Sequence, residues 1–182
     1  MNTGVQRSSA TPPTARTATT PALGNKPGNV FGTGKNLPLI AMAHNIPYVA
    51  TASVADLHDL EAKVSKAMSF RGARYIHIMV PCPLGWGSAA DATIRIARLA
   101  VESGFFPLFE AEYGEITASN KIRRQVPVSE YLKLQRRFAH LFKKGPDGKA
   151  DTEALDRLQQ MADANIARFN LIDDGTAQGT SQ

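Results

Sequence analysis

Cysteine and long hydrophobic runs are nearly absent from this sequence. Its 182 residues include one cysteine, Cys82, and one tryptophan, Trp86. A single cysteine excludes an internal disulfide and is typical of a chain that works in a reducing cytoplasm. No run of about 18 apolar residues occurs, so no membrane span is predicted. The first residues lack a basic region followed by an apolar core, so no signal peptide is predicted.

The familiar short motifs of cofactor and metal sites are also missing. There is no GxGxxG after a strand, no GxxxxGK[ST] loop, no HExxH and no paired CxxC. The segment "GTGKN" at 32–36 contains glycine and lysine without the phosphate-loop spacing. Asn2, Thr3 and Gly4 could let the backbone approach a phosphate or a substrate oxygen, but a tripeptide alone is too short to be a signal.

The chain is moderately basic, with a net charge of +5 from 21 Lys and Arg against 16 Asp and Glu. Short basic runs are usually solvated, and we interpret the runs in this chain as solvated surface. A face for an acidic partner or a phosphate-bearing ligand is the alternative. Nucleic acid is not a predicted partner, because no groove-reading motif accompanies the charges. The basic runs are "KIRR" (121–124), "QRRF" (135–138) and "FKK" (142–144).

Residues 36–114 alternate between helical and extended patterns and are predicted to form an α/β core. "NLPLIAMAHN" predicts a short helix, and "AADATIRIARLAVES" predicts a mostly buried helix that ends before Gly104. Strands are predicted at 46–53, 73–80 and 105–114. Strands and helices that alternate with short connections predict right-handed crossovers and a parallel sheet.

The helix between the first two strands is predicted from its apolar periodicity, and it runs through about Phe70. Ser53 and Ser88 each stand three residues before an aspartate, which is typical of a capping box at a helix start. The apolar stripe of this amphipathic helix consists of Leu57, Leu60, Val64 and Met68.

Beyond residue 114 the alternation stops, and residues 115–172 are predicted to form a carboxyl-terminal arm and helices. "EITASNKIRRQ" predicts a strand or arm, and "PVSEYLKLQRRFAHLF" a helix. The last helix is predicted from about Thr152 to Leu171 and should pack on the same core or on a partner subunit. Residues 173–182 form a polar tail. Residues 1–35 have no period and are rich in Thr, Ser, Pro, Gly and Ala, as in a loop or linker.

Cys82 follows a predicted strand, at the sheet edge where the functional loops of parallel sheets gather. A buried structural thiol is one interpretation. A nucleophile would need a base, and no motif places one of the four histidines beside it. A metal ligand is the third interpretation, since thiolates hold iron–sulfur clusters, but the other ligands would have to come from outside this chain. His77 is expected to be a satisfied core histidine, and His58 and His140 to have surface or packing roles, while His44 is placed by no motif.

Five segments, taken in order, carry a resemblance to a known family: "MNTGVQRSSATPPTARTATTPA", "IAMAHNIPYVATAS", "HIMVPCPLGWG", "RLAVESGFFPLFEAEYGE" and "PVSEYLKLQRRFAHL". They are similar to the carboxyl-terminal part of the β subunit of pyruvate:ferredoxin oxidoreductase, or pyruvate synthase, a 2-oxoacid:acceptor oxidoreductase. That subunit binds thiamine diphosphate. The resemblance covers roughly residues 1–142.

The resemblance implies roles for four residues. In the family, a cysteine at the Cys82 position is the fourth ligand of the 4Fe-4S cluster nearest the thiamine, and the other three cysteines lie in the amino-terminal half of the subunit. Asn2 corresponds to an active-site asparagine next to the thiazolium and the substrate. Thr3 and Gly4 continue this cofactor-side loop, which spans residues 1–35. An amide at Asn2 could hold a 2-oxo acid by hydrogen bonds.

The chain departs from the family in what it lacks. The Gly-Asp-Gly magnesium motif and the other cluster cysteines are absent, and Met1 matches an internal methionine of the family. We therefore expect a portion of the subunit, whether truncated, started internally or split. We expect an incomplete thiamine-diphosphate-binding fold with an uncovered sheet edge or face. The isolated chain should hold neither thiamine diphosphate with Mg²⁺ nor a complete 4Fe-4S cluster, and should be inactive.

The resemblance also implies the reaction and the partners of the complete complex. The complex would oxidise pyruvate with coenzyme A to acetyl-CoA and CO2, and pass electrons through 4Fe-4S clusters to ferredoxin. The partners would be α, γ and δ-type subunits and the missing amino-terminal half of the β subunit. "PCPLGWG" favours pyruvate, and another 2-oxo acid is the nearest alternative. A non-catalytic assembly or binding module is the alternative of a different class, and a cysteine hydrolase centred on Cys82 is not favoured.

Overall fold

The structure, a computed structural model, describes residues 36–143 and 152–173. The predicted loop segment 1–35 and the tail after residue 173 lie outside the described residues. Residues 36–119 form an α/β unit. Its elements are α1 (Leu37–Ala43), β1 (Tyr48–Ser53), α2 (Leu57–Ser69), β2 (Arg74–Met79), α3 (Pro83–Trp86), a 3-10 helix (Ala90–Ala92), α4 (Thr93–Glu102), β3 (Phe109–Glu112) and β4 (Glu115–Ser119).

A smaller helical part follows the sheet. It consists of α5 (Val128–Lys133), a 3-10 helix (Arg136–Phe142) and α6 (Thr152–Arg168). The α/β class predicted from the alternation of patterns is therefore confirmed. Across the two described ranges, no helix is both long enough and apolar enough to cross a membrane.

The four strands form one mixed sheet in the order β2-β1-β3-β4. β1 and β2 run parallel, as predicted, but β3 runs antiparallel to β1, so the prediction of a parallel sheet is wrong for this strand. The reason lies in the approach to β3. Thr51 Oγ1 donates to Pro107 O (2.7 Å) and accepts from Phe109 N (2.9 Å). These bonds hold the start of β3 near the carboxyl end of β1, so β3 must run back along it.

β3 and β4 form a hairpin. Tyr113 and Gly114 connect them with φ values of +50° and +89°, the left-handed conformations that a tight hairpin turn needs. The ladder shifts register between Glu110 and Ala111. The segment predicted as a strand or arm after residue 114 therefore begins as the edge strand β4.

One buried cation sets the rotation of α2 on the sheet. Lys63 is 2% exposed, and its ammonium donates to Thr51 O (3.0 Å), Asp59 Oδ2 (2.8 Å) and Asn120 Oδ1 (3.3 Å). The Asn120 amide in turn donates to Asp59 Oδ1 (2.8 Å). A buried ammonium is tolerated only when its charge and its hydrogen bonds are matched. These contacts therefore tie α2 to β1 and to the residue that follows β4.

The apolar stripe of α2 is turned away from the sheet. Leu57, Val64 and Met68 are 66%, 42% and 69% exposed, although the apolar side of an amphipathic helix usually faces the core. Lys66 pairs with carboxylates on β3, so the stripe lies on the opposite flank of the helix. Arg74 Nη2 lies 4.0 Å from Met68 Sδ, which places that end of the stripe beside β2.

Two predicted helix starts are wrong. Asp56 caps α2, accepting a hydrogen bond from Asp59 N (3.0 Å). Ser53 cannot cap this helix because it is still paired in β1. After Ser88 the chain makes only the short 3-10 helix, and α4 begins at Thr93.

The helix predicted over 127–142 is broken into two elements. Gln135 has an extended conformation between α5 and the 3-10 helix (φ −122°, ψ 118°). Its side-chain amide donates to Tyr131 O (2.7 Å), the carbonyl that its own backbone N–H would use in a continuous helix. Five apolar side chains of this segment are nevertheless buried or partly buried: Tyr131, Leu134, Phe138, Leu141 and Phe142.

Two apolar clusters join the helical part to the α/β unit. The larger one gathers α4, α5, the 3-10 helix at 136–142 and α6 around Phe138 and Leu158. The second packs α1, β1, β3 and the end of α6 together, with the rings of Phe109 and Phe169 stacked at 4.5 Å between centroids. The last predicted helix therefore packs on the same core. Its apolar stripe lies in these clusters: Leu155, Leu158, Ala162, Ile166 and Phe169.

Asp59→Asn is expected to lower the free energy of unfolding by about 3 kcal/mol, because it leaves the Lys63 ammonium buried without a counter-charge. Urea unfolding followed by circular dichroism measures this loss. Glu61→Gln removes an exposed carboxylate from the same helix and is the matched control, with an expected change below about 0.5 kcal/mol. Equal losses in the two variants would contradict the special role of the buried pair.

Candidate functional site

Cys82 lies at the carboxyl end of β2, where α3 begins. Its Sγ accepts a hydrogen bond from Gly85 N (3.4 Å), so the thiol caps this single helical turn. The side chain is half-buried and packs against the larger apolar cluster. Cys82 is therefore neither a fully buried structural thiol nor a freely exposed one.

The backbone on both sides of Cys82 is restricted by proline. Pro81 is buried, and Pro83 occupies the first position of α3, where the missing N–H of proline leaves no hydrogen bond unmade. Trp86 N donates to Cys82 O (2.9 Å) and closes the turn. The direction of the thiol is thus constrained by the covalent geometry of the prolines and by backbone hydrogen bonds.

Gly87 joins the Cys82 loop to the chain after α5. It ends α3 in the left-handed conformation, with φ +66°. A Cβ at this position would lie 2.5 Å from Arg136 Cβ, and Arg136 N donates to Gly87 O (3.1 Å). A side chain at residue 87 would therefore both strain the backbone and push the two segments apart.

Arg137 is only 3% exposed, so its interpretation as solvated surface is wrong, whereas Arg136 is exposed as predicted. Its guanidinium carbon lies 3.9 Å from the centre of the Trp86 ring. Nε donates to Gln135 Oε1 (2.9 Å), and Nη2 donates to Tyr131 Oη (3.3 Å). Within the described ranges, no carboxylate forms an ion pair with it. Burial lowers the pKa of Arg137, and the contact with Tyr131 acts in the opposite direction.

The hydrogen bond that Cys82 Sγ accepts comes from a backbone amide and not from a histidine. His77 packs edge-on against Phe106, at 5.6 Å between centroids, and burial lowers the pKa of its imidazole. Its Nδ1 is buried without a hydrogen-bond partner. His77 is half-buried and its Nδ1 lacks a partner, so the prediction of a satisfied core histidine is wrong. His44 and His58 are exposed.

The thiol can be one ligand of a metal centre and no more. In the part of the chain that the structure describes, no three His, Cys, Asp or Glu side chains are grouped so that they could hold a metal ion. A half-buried thiol with an N–H donor on its sulfur and apolar neighbours suits one thiolate of an iron–sulfur cluster. The predicted cofactor-side residues Asn2, Thr3 and Gly4 lie outside the described residues.

The stacking of Arg137 on Trp86 could not be predicted from the sequence. Both arginines of the "QRRF" run look alike in sequence, and only packing separates the exposed one from the buried one. Ser88 was also misjudged, since its hydroxyl oxygen is buried without a hydrogen-bond partner and caps no helix. The sequence offers one indication that Arg137 is buried: it immediately precedes the apolar segment that begins at Phe138. An exposed arginine on an amphipathic surface helix can have the same neighbours, so this indication does not distinguish the two.

No protein-family model matches the chain, but curated proteins do. It is 47% identical over 175 residues to the pyruvate synthase subunit PorB of Methanosarcina barkeri, which covers 94% of the chain and 56% of that protein. It is 44% identical over 171 residues to PorB of Methanocaldococcus jannaschii (94% of the chain, 54% of that protein). It is 42% identical over 167 residues to the ketoisovalerate oxidoreductase subunit VorB of Pyrococcus abyssi (90% and 53%).

These matches show that the chain belongs to the family of PorB and VorB proteins, which are subunits of 2-oxo-acid oxidoreductases. More particularly, the chain resembles PorB of pyruvate synthase over nearly its whole length, which confirms the resemblance found in the sequence. The chain spans about half the length of the curated relatives it matches.

Gly87→Ala is expected to lower the free energy of unfolding by about 2–3 kcal/mol, because the new methyl group meets Arg136 Cβ and the left-handed backbone becomes strained. Thermal and urea unfolding measure the loss. Gly72→Ala is the matched control, since Gly72 also has a positive φ (+97°) but its nearest contact would be 3.5 Å away. A loss no larger than that of Gly72→Ala would show that the close approach to Arg136 is unimportant.

Proposed function

We propose that this chain is the carboxyl-terminal portion of the thiamine-diphosphate-binding β subunit of a 2-oxo-acid:ferredoxin oxidoreductase, and that the acid is pyruvate. The observation that carries the proposal is the placement of the single cysteine. Cys82 lies on a restricted loop at the end of a strand, half-buried and hydrogen-bonded by Gly85 N, in a chain similar to PorB over 94% of its length.

The complete complex would convert pyruvate and coenzyme A into acetyl-CoA and CO2. The bond between the carboxylate carbon and the carbonyl carbon breaks, a thioester forms, and electrons leave one at a time to ferredoxin. When bound, thiamine diphosphate with Mg²⁺ supplies carbanion stabilisation, and a 4Fe-4S cluster supplies one-electron transfer. Cys82 would contribute one thiolate to that cluster, and its direction is constrained by Pro81 and Pro83.

Asn2, Thr3 and Gly4 would serve the cofactor side of the site. A side-chain amide at Asn2 could donate a hydrogen bond to an oxygen of the 2-oxo acid. Thr3 would position the loop, and Gly4 would let the backbone approach the cofactor closely. These assignments rest on the match of the opening residues to the family's cofactor-side loop.

β2 supports the proposal that the thiamine-diphosphate-binding fold is incomplete here. It is an edge strand, yet both of its faces carry apolar side chains, as in an interior parallel strand. These are Ile76, Ile78 and Val80 on one face and Tyr75 and Met79 on the other, with Arg74 and His77 as the polar exceptions. Met79 O accepts from Val54 N on the β1 side, so the backbone groups of Ile78 and Val80 point away from β1. The side chains of Ile78 and Val80 are 40% and 51% exposed. Arg74 is the one charged residue of the strand, and Pro81 follows only after Val80, so between them the edge lacks the charges and prolines that usually protect edge strands.

The exposed stripe of α2 adjoins this free edge. A segment that paired with β2 and covered Val64 and Met68 would turn both features into interior surfaces. Because the chain spans about half the length of its relatives, we propose that the remaining part of the subunit supplies that segment. The α, γ and δ-type subunits and ferredoxin would then complete the assembly and accept the electrons.

Identity alone does not separate the two acids, since PorB relatives are 40–47% identical to the chain and VorB relatives 42%. Pyruvate is favoured here by the form of the "PCPLGWG" segment. Ketoisovalerate carries a branched side chain where pyruvate carries a methyl group. The two acids share the 2-oxo-acid group that the chemistry requires. A different 2-oxo acid is therefore the nearest alternative substrate.

A non-catalytic assembly module is the second candidate function. The observation that favours it is that, among the described residues, Cys82 has no further metal-ligating side chains grouped with it. On this alternative, the chain would contribute the β2 edge and its exposed basic residues to a complex without holding a cofactor.

Cys82→Ser is expected to lower the iron and sulfide content of the assembled enzyme by the amount of one 4Fe-4S cluster, because serine replaces a thiolate ligand of that cluster. The chain is co-expressed anaerobically with the partner subunits of Methanosarcina barkeri pyruvate synthase and with the part of its PorB that lies outside the match. Iron, sulfide and thiamine are then assayed in the purified complex. Leu84→Ser is the matched control, since Leu84 is 85% exposed in the same loop and supplies no ligand.

Each result of this assay decides between the candidates. A complex that forms without iron and thiamine in the unaltered chain would favour the assembly module. Full retention of iron in Cys82→Ser would contradict the ligand role, and loss of iron in Leu84→Ser as well would point to disruption of the loop instead.

Ile78→Lys is expected to reduce assembly with the remaining part of the subunit by at least about tenfold, because pairing at β2 would bury an ammonium without a partner. Yield of the co-purified complex measures this, and hydrogen exchange of the β2 amides should slow on assembly. Ile116→Lys is the matched control, as Ile116 is also 40% exposed but lies on the opposite edge strand, β4. Equal losses in the two variants would refute pairing at β2.

A further inference from the structure

Arg137 is a buried cation with neutral partners in this structure. Its contacts are with Gln135, Tyr131 and the rings of Trp86 and Phe138. A desolvated guanidinium without a carboxylate is costly to bury. One face of the guanidinium covers the ring of Trp86, with Cζ 3.9 Å from the ring centre, which is the geometry of a cation–π contact.

The guanidinium is itself held in one orientation. Its Nε donates to Gln135 Oε1 (2.9 Å), and its Nη2 donates to Tyr131 Oη (3.3 Å). The Gln135 amide donates to Tyr131 O (2.7 Å). This chain of bonds anchors the guanidinium to α5 and to the break that follows it, and it therefore presents a fixed plane to Trp86.

Trp86 links the Arg137 guanidinium to the turn that carries the Cys82 thiol. It is the last residue of α3 and is 7% exposed. Its backbone N–H donates to Cys82 O (2.9 Å) across the single helical turn. The next residue, Gly87, accepts from Arg136 N (3.1 Å). The far end of α3 is therefore fixed by two neighbouring arginines, one through its side chain and one through its backbone.

We infer that Arg137 is a positioning residue for Cys82: by stacking on Trp86 it fixes the orientation of α3 and so the direction of Cys82 Sγ. The consequence of this positioning for cluster binding rests on the proposed function. The effect of Arg137 on the orientation of the Cys82 loop does not rest on it. Loss of the stacking would let α3 open and swing the thiol toward solvent. A cation–π contact of this desolvated kind corresponds to a factor of about 5 to 30 in such a local equilibrium.

The chain carries its own probes for the test, since Trp86 is its single tryptophan and Cys82 its single cysteine. Arg137→Met keeps the length and apolar stem and removes the charge and the donors. Arg137→Lys keeps the charge without the planar fork. Phe169→Leu is the control, because it weakens the other apolar cluster, where Phe169 stacks on Phe109. Trp86 emission, its quenching by acrylamide and the rate of Cys82 alkylation by iodoacetamide are measured on the folded full-length chain.

Arg137→Met should shift Trp86 emission to the red, increase its quenching and speed Cys82 alkylation about 5- to 30-fold, while Arg137→Lys should restore part of each change. Phe169→Leu should lower global stability and leave all three readouts as in the unaltered chain. Unchanged readouts in Arg137→Met, or equal changes in Phe169→Leu, would overturn the inference. If Arg137→Met does not fold, Trp86→Phe, which weakens the stacking, should speed alkylation in the same way, and an unchanged rate would refute it.

These readouts need no iron, so they separate this inference from the proposed function. Dependence of alkylation on Arg137, together with no iron in the assembled complex, would keep the positioning role and reject the cluster ligand. If iron binding depends on Cys82 but the alkylation rate does not change in Arg137→Met, the cluster ligand is supported and the positioning role is rejected.

Discussion

The buried ammonium of Lys63 is the constraint on which the arrangement of the α/β unit depends. It must keep its acceptors, Thr51 O, Asp59 and Asn120, because an unmatched charge in that position would cost several kcal/mol. α2 therefore cannot rotate to bury its apolar stripe on the sheet. Met68, at the end of this stripe, lies beside Arg74 of β2 instead, and the side chains of Ile78 and Val80 along the β2 edge are exposed. The need to match the buried charge of Lys63 therefore leaves apolar side chains of α2 exposed on the surface of the unit.

The loop that carries Cys82 is held from two directions. β2 and Pro81 bring the chain to the carboxyl edge of the sheet, and α5 with the residues after it fixes the far end of α3 through Gly87 and Trp86. The carboxyl-terminal part of the chain therefore both covers the core and holds the Cys82 loop in place. Because the free edge of β2 leads directly into this loop, a segment that pairs with β2 would arrive beside the thiol.

Much of the fold could be predicted from local patterns, and the errors have a common cause. The helices and strands of residues 36–119 follow from periodicity, and the parallel pairing of β1 and β2 follows from the helix between them. The direction of β3 could not be predicted, because it depends on two hydrogen bonds of Thr51 to residues more than fifty positions away. The cap at Ser53 failed because the same residue was already paired in β1. In each case a distant partner overrode a local preference.

By itself, the sequence determined the α/β class, the resemblance to the PorB subunit and the choice of Cys82 as the candidate ligand, because these depend on residue identity and local order. Only the tertiary structure decided which arginine of the "QRRF" run is buried against Trp86, which face of α2 is exposed and which strand forms the free edge. These properties arise from packing between segments far apart in the chain, where desolvation of one charged group outweighs the pattern of its neighbours.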